Sequence, residues 1–99
     1  MKAYRILPGR PGEMIDLPNE LHALQREVDG YIETVSFPGW CVICNEEGKL
    51  KGMDYNFYLE IGGRMEAIFG PVLIVGTDGE EFTDVTDAIL DELGAVTWR

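Results

Sequence analysis

The sequence predicts an α+β domain: a mainly antiparallel sheet of about five to seven short strands with two helices packed on one face. Three observations predict it. Short β-branched and aromatic runs recur between Gly- and Pro-containing turns. Two segments carry helical periodicity with start and stop residues. The chain is 99 residues long, enough for a single hydrophobic core and not for two, so residues 1–99 read as one domain.

The elements follow in order. Lys2 to Leu7 alternates and reads as a strand, and Pro8-Gly9-Arg10-Pro11-Gly12 is a turn cluster. Glu13 to Leu17 is a second short strand. Asn19 is placed to cap a helix whose first turn holds Glu20, where the helix dipole favours an acid. Leu21, Leu24 and Val28 form its apolar stripe, and Gly30 is the expected left-handed terminator. Tyr31 to Phe37 and Trp40 to Cys44 are strands around a Pro38-Gly39 turn. Asn45-Glu46-Glu47-Gly48 turns the chain toward a short returning strand at Lys49 to Lys51. Asp54 to Ile61 is compatible with a strand or an ordered loop. After Gly62-Gly63, the run Val72-Leu73-Ile74-Val75 is continuously apolar and predicts a central strand covered on both faces. Asp78-Gly79 predicts a tight hairpin into Glu80-Glu81-Phe82. Thr86 caps the second helix, Gly94 ends it, and Val85, Ile89, Leu90 and Leu93 face the core. Val96 and Trp98 form a short packed tail.

Charge is the outstanding compositional feature: 18 acids oppose 8 basic residues, a net charge of −10. Such a chain is repelled by nucleic acid and by anionic membranes, which leaves basic proteins, small molecules or cations as partners. No stretch approaches the roughly 18 apolar residues of a membrane span. The start Met1-Lys2-Ala3-Tyr4-Arg5 lacks the apolar run of a secretion signal, so a cytoplasmic location is expected.

Catalytic and metal chemistry finds little material. Cys41 and Cys44 lie in a strand-like run, and three residues along a strand is about 10 Å with side chains on opposite faces. That geometry excludes a disulfide and predicts buried structural thiols. A zinc site needs about four ligands, and the chain has two Cys and one His. His22 reads as a helix-surface residue, Ser36 sits in no nucleophile motif, and no glycine loop has phosphate-binding spacing. Asp84, Asp87 and Asp91 are spaced to share a helix face, which diverges and so suits no metal. The expectation is a non-enzymatic protein without metal or cofactor.

The acids are unevenly distributed. Asp78, Glu80, Glu81, Asp84, Asp87, Asp91 and Glu92 fall on the last hairpin and helix, and no Lys or Arg occurs from Met65 to Trp98. This acidic surface is the candidate docking site for a basic partner, to be tested by reversing Asp84, Asp87 and Asp91. A second candidate cluster for a ligand or an interface is Tyr55, Asn56 and Phe57 beside the turn that carries Arg64.

Gly30-Tyr31-Ile32-Glu33, the run Asn45 to Gly52, Gly70-Pro71-Val72-Leu73-Ile74-Val75-Gly76 and the Thr86-Asp87 helix start together resemble a family of small uncharacterised domains. That family is carried by bacteriophages, plasmids and other mobile elements. The resemblance spans about Ala3 to Leu93 and rests on turns and strands, so it implies a shared fold and brings no catalytic residues. It implies a counter-defence context: a cytoplasmic accessory protein that binds and inhibits a host protein, such as a restriction or CRISPR nuclease. The alternatives are an oligomeric sponge for a nucleotide immune signal, with Arg64, Arg5 or Lys51 as its cations, and a structural or replication accessory factor.

Overall fold

The computed structural model describes residues Met1–Arg99. The elements are β1 (Lys2–Ile6), β2 (Glu13–Asp16), α1 (Leu21–Val28), β3 (Ile32–Phe37), β4 (Trp40–Asn45), β5 (Tyr55–Ile61), β6 (Arg64–Phe69), β7 (Val72–Asp78), β8 (Glu81–Thr83), α2 (Asp87–Val96) and β9 (Thr97–Trp98). The fold is α+β and every strand pair is antiparallel.

The strands form two sheets where one was expected. The larger has the order β2-β1-β7-β4-β3, with β8 pairing the end of β7; the smaller has the order β6-β5-β9. Alternation along β4 and β7 explains the layering. Cys41, Ile43, Leu73 and Val75 point to one side, where Ala23, Leu24 and Val28 of α1 cover them. Trp40, Val42, Cys44, Val72 and Ile74 point to the other, against Phe57, Leu59 and Ile68 of the small sheet and Leu93 of α2. The helices therefore lie on opposite faces of the large sheet, not on one. β7 is covered on both faces, as its apolar run predicts.

Several local expectations are corrected. Asn19 does not cap α1: Glu20 holds the cap position without a side-chain bond, and Asn19 Nδ2 donates instead to the Phe82 carbonyl at 2.9 Å. Leu21, at the helix start, is 54% exposed, and Ala23 takes its place in the buried stripe. Asp29 rather than Gly30 adopts the left-handed conformation, with φ 59°. Asn45 makes this possible. Its Nδ2 donates to the Val28 and Asp29 carbonyls, both at 3.0 Å, and so satisfies the helix end. Lys49 to Lys51 is turn, not strand. The segment is tied down at Gly48, where an added Cβ would lie 2.6 Å from the Phe69 carbonyl oxygen. In the last hairpin Asp78 pairs with Glu81, so the turn residues are Gly79 and Glu80, one later than expected. Gly79 supplies φ 62° there.

Thr86 caps α2 as expected, its Oγ1 accepting from Ile89 N at 3.3 Å. Gly94 does not end this helix. Leu93 and Val96 both pack into the core, which outweighs the ~1 kcal/mol that a mid-helix glycine costs relative to alanine. The end comes at Thr97, whose hydroxyl donates to the Leu93 carbonyl at 2.8 Å. No helix is long and apolar enough to cross a membrane.

Candidate functional site

All seven candidate acids of the last hairpin and helix are exposed. None is in an ion pair, because the ion pairs are Arg5–Glu13, Arg5–Glu27 and Arg64–Glu66. Two of the seven nevertheless serve the fold. Asp84 Oδ1 accepts from the Lys2 backbone N–H at 2.8 Å, beside a Val85 N–H to Lys2 carbonyl bond of 2.9 Å. These bonds fasten the segment after β8 to the first strand. Glu92 Oε2 accepts from Trp40 Nε1 at 2.6 Å and ties α2 to β4.

The other five carboxylates take part in no side-chain hydrogen bond or ion pair. They fall into two groups. Asp78, Glu80 and Glu81 crowd the β7–β8 tip, where Asp78 and Glu81 are direct cross-strand partners. Asp87 and Asp91 stand one turn apart on α2. Like charges opposite each other on strands, or four apart on a helix, destabilise by a few tenths of a kcal/mol or more. Apart from Asp87, whose charge suits the N-terminus of α2, the tip and the helix thus hold charge that the fold does not need.

The second predicted cluster is not brought together. Phe57 is buried in the core at 1% exposure. Asn56 is also buried, its Nδ2 donating to the carbonyls of Ile6 and Gly70, both at 2.9 Å, while its Oδ1 has no protein partner. A register shift between Tyr55 and Phe57 turns Tyr55 outward. Arg64 sits at the far end of the β5–β6 hairpin, 81% exposed and paired with Glu66 at 3.6 Å. Instead, Tyr55 joins Tyr58, Phe69 and Trp98 on the outer face of the small sheet. Sequence reasoning assigned Trp98 to a tail and missed this grouping. Alternation in β5 signals Tyr58, but the register shift and the long-range pairing of β9 leave no local trace.

No cationic pocket forms from Arg5, Arg64 and Lys51. Arg5 Nε bonds Glu13 at 3.0 Å and its Nη1 bonds Glu27 at 3.2 Å. The hydrogen bond to Glu13, then that to Glu27, raises the Arg5 pKa. Lys51 is exposed in the turn between β4 and β5, where it is the one cation lining an open cleft of about 220 Å³ with Gln25, Gly30, Tyr31 and Glu47. An open cleft of about 370 Å³ lies between Tyr4, Gly12, Leu90, Gly94 and Arg99 and includes none of the three. His22 and Ser36 are exposed on separate elements. No three His, Cys, Asp or Glu side chains gather as metal ligands.

Cys41 and Cys44 are free, buried and on opposite faces of β4. Desolvation pushes both thiols up to about 11 from 9.0, with the Glu33 charge adding to the effect at Cys44. Both should resist a thiol-reactive disulfide reagent at pH 8 until the protein is unfolded. Above pH 9.0 the unfolded thiols lose protons that the native ones keep until about 11. Stability should therefore fall as pH rises across that window, by at most about 1.4 kcal/mol per thiol per pH unit. Urea melts of wild type and Cys41→Ala check it, the variant showing the shallower decline.

Residues 1–96 match the sequence pattern of a domain of unknown function, DUF3846. The chain belongs to the DUF3846 family. The match takes in every element from β1 to α2 of this DUF3846 domain and stops just before β9. Both acidic groups lie inside the matched stretch, whereas Trp98 lies beyond it. No curated protein and no solved structure matches the chain.

Proposed function

We propose that this DUF3846 protein is a non-catalytic binding protein that docks onto the basic surface of another protein through the β7–β8 tip and the exposed acids of α2. The observation that carries the reading is the uncompensated charge there. Asp78 faces Glu81 across the hairpin with Glu80 beside them, and no cation answers any of the three. A tip selected only for stability would pair opposite charges. The mobile-element context implied by the sequence resemblance supports a host protein as the partner, in the manner of an inhibitor of a restriction or CRISPR nuclease.

Mimicry of duplex DNA by a single copy is disfavoured by magnitude. The molecule is 30 Å in its longest extent and carries a net charge of −10. Duplex DNA of that length carries about 18 charges. The surface suits a local basic patch better than a DNA channel. The sponge reading is disfavoured by the scattered, engaged or exposed cations described above.

The test is affinity capture from a host lysate at low salt. A host protein should be retained on the immobilised domain and released as salt rises, because the Debye length shrinks from roughly 30 Å at 0.01 M to 3 Å at 1 M. Retention that does not respond to salt contradicts an acidic docking surface.

A further inference from the structure

The outer face of the small sheet carries an aromatic surface that the acidic groups do not explain. Phe57 and Leu59 of β5 point into the core, so Tyr58 and Glu60 between and after them point out. The register shift brings Tyr55 to the same side. Tyr58 lies beside Trp98 on one flank and beside the small Ala67 on the other. The Tyr55 and Tyr58 rings are 5.3 Å apart, and Tyr55 meets Phe69 edge-on at 6.2 Å. Met65 stands opposite Glu60. Tyr55, Tyr58, Met65 and Trp98 are 38%, 44%, 48% and 46% exposed. Glu60 is exposed and in no ion pair.

We infer that this face binds arginine side chains of a basic protein segment, guanidinium groups stacking on Tyr58 and Trp98 while the Glu60 carboxylate accepts their hydrogen bonds. The inference rests on the binding function proposed above and specifies what its partner must present. Charge complementarity selects the occupant. Aromatic ring faces are electronegative and attract a cation, the adjoining carboxylate is unpaired, and the whole molecule, at −10, steers cations toward itself. Guanidinium is favoured over ammonium because it is planar, stacks on rings and pairs with a carboxylate through two donors.

A second copy fits less well. Large side chains of this kind present about 150–250 Å² each, so the three aromatics and Met65 at these exposures offer only roughly 300–400 Å². A stable interface takes about 800 Å² from each partner, and two copies at −10 each repel. Single-stranded nucleic acid also stacks on aromatic sheets, but needs a cationic groove.

Hexa-arginine and hexa-lysine peptides test the inference by fluorescence titration. Trp40 is 1% exposed and Trp98 46%, so a surface ligand is read by Trp98. Hexa-arginine should change the Trp98 emission and bind several-fold more tightly than hexa-lysine. Tyr58→Leu, which keeps apolar area and removes the ring, should weaken hexa-arginine binding about two- to five-fold, and Tyr58→Phe should not. Glu60→Gln should narrow the preference for arginine over lysine. Equal binding of the two peptides by the wild-type protein overturns the inference whatever the variants do. So does an unchanged Tyr58→Leu, while salt-sensitive capture through the acidic tip would leave the proposed function standing. Failure of both peptides to change the Trp98 emission would also overturn the inference, while the proposed function stands or falls on the salt-sensitive capture alone. Tighter binding of a single-stranded oligonucleotide, or a dimer in sedimentation that Tyr58→Leu dissolves, would assign the face to another occupant and also overturn it.

Discussion

Trp40→Ala should destabilise the domain by about 3–5 kcal/mol, the usual range for deleting a large buried aromatic. Trp40 is 1% exposed and stacks on Phe37 with ring centroids 4.3 Å apart and planes 9° from parallel. Its indole N–H donates to Glu92 at 2.6 Å. The side chain therefore fills the space between the sheets and holds α2 to β4 at once. Alanine leaves a cavity that the two layers must partly collapse to fill, and removes the bond that ties Glu92 of α2 to β4. A domain of this size has about 5–15 kcal/mol of total stability, so the loss is a large share of it. Trp40→Phe keeps the stack and should lose less, near the 1.5–3 kcal/mol or so of a hydrogen bond to a charged group. Urea melts with an unchanged slope and a lowered midpoint would report this; a loss below about 1 kcal/mol for Trp40→Ala would contradict the layered core.

The second large effect is on binding. Replacing Glu80, Glu81 and Asp91 together by lysine should abolish partner docking, a loss of more than about ten-fold at physiological salt, without unfolding the domain. Each reversal adds two charges, so the net charge goes from −10 to −4. The structure dictates these positions. Reversing Asp84 would break its bond to the Lys2 N–H, and reversing Asp87 would place a cation in the first turn of α2, against the helix dipole. By contrast, Glu81→Lys turns a repulsive cross-strand pair with Asp78 into an attractive one. Asp91→Lys does the same four residues from Asp87. The variant should melt at or above the wild-type temperature, which separates lost binding from lost fold.

How far the sequence could be read depends on the range of each interaction. β4 and β7 were legible because strands buried on both faces carry continuous apolar runs, here Trp40 to Cys44 and Val72 to Val75. Thr86 was legible because a cap bonds three residues ahead, to Ile89. Long-range partners were not. Asn45 reads as a turn residue, yet it closes α1 through carbonyls 16 and 17 positions earlier. Asn19 reads as a cap, yet its amide bonds a carbonyl 63 positions later. The split into two sheets depends on which apolar face of β4 meets β6 and which meets α1, and alternation alone does not say. At the site, exposure of the acids followed from their number and polarity. The diversion of Asp84 and Glu92 to the backbone and to Trp40 did not, because both bonds join distant parts of the chain.

The acids of the β7–β8 tip and α2 are proposed here as a docking surface and not merely a solubilising one. This role is tested most directly by titrating the host protein captured at low salt with the wild-type domain and with Glu80→Lys/Glu81→Lys/Asp91→Lys, each at low and at moderate ionic strength. The wild type should bind and weaken with salt, while the variant, folded by its own melt, should lose more than about ten-fold in affinity and most of its salt dependence. Equal affinity with an equal salt response in both proteins would contradict it.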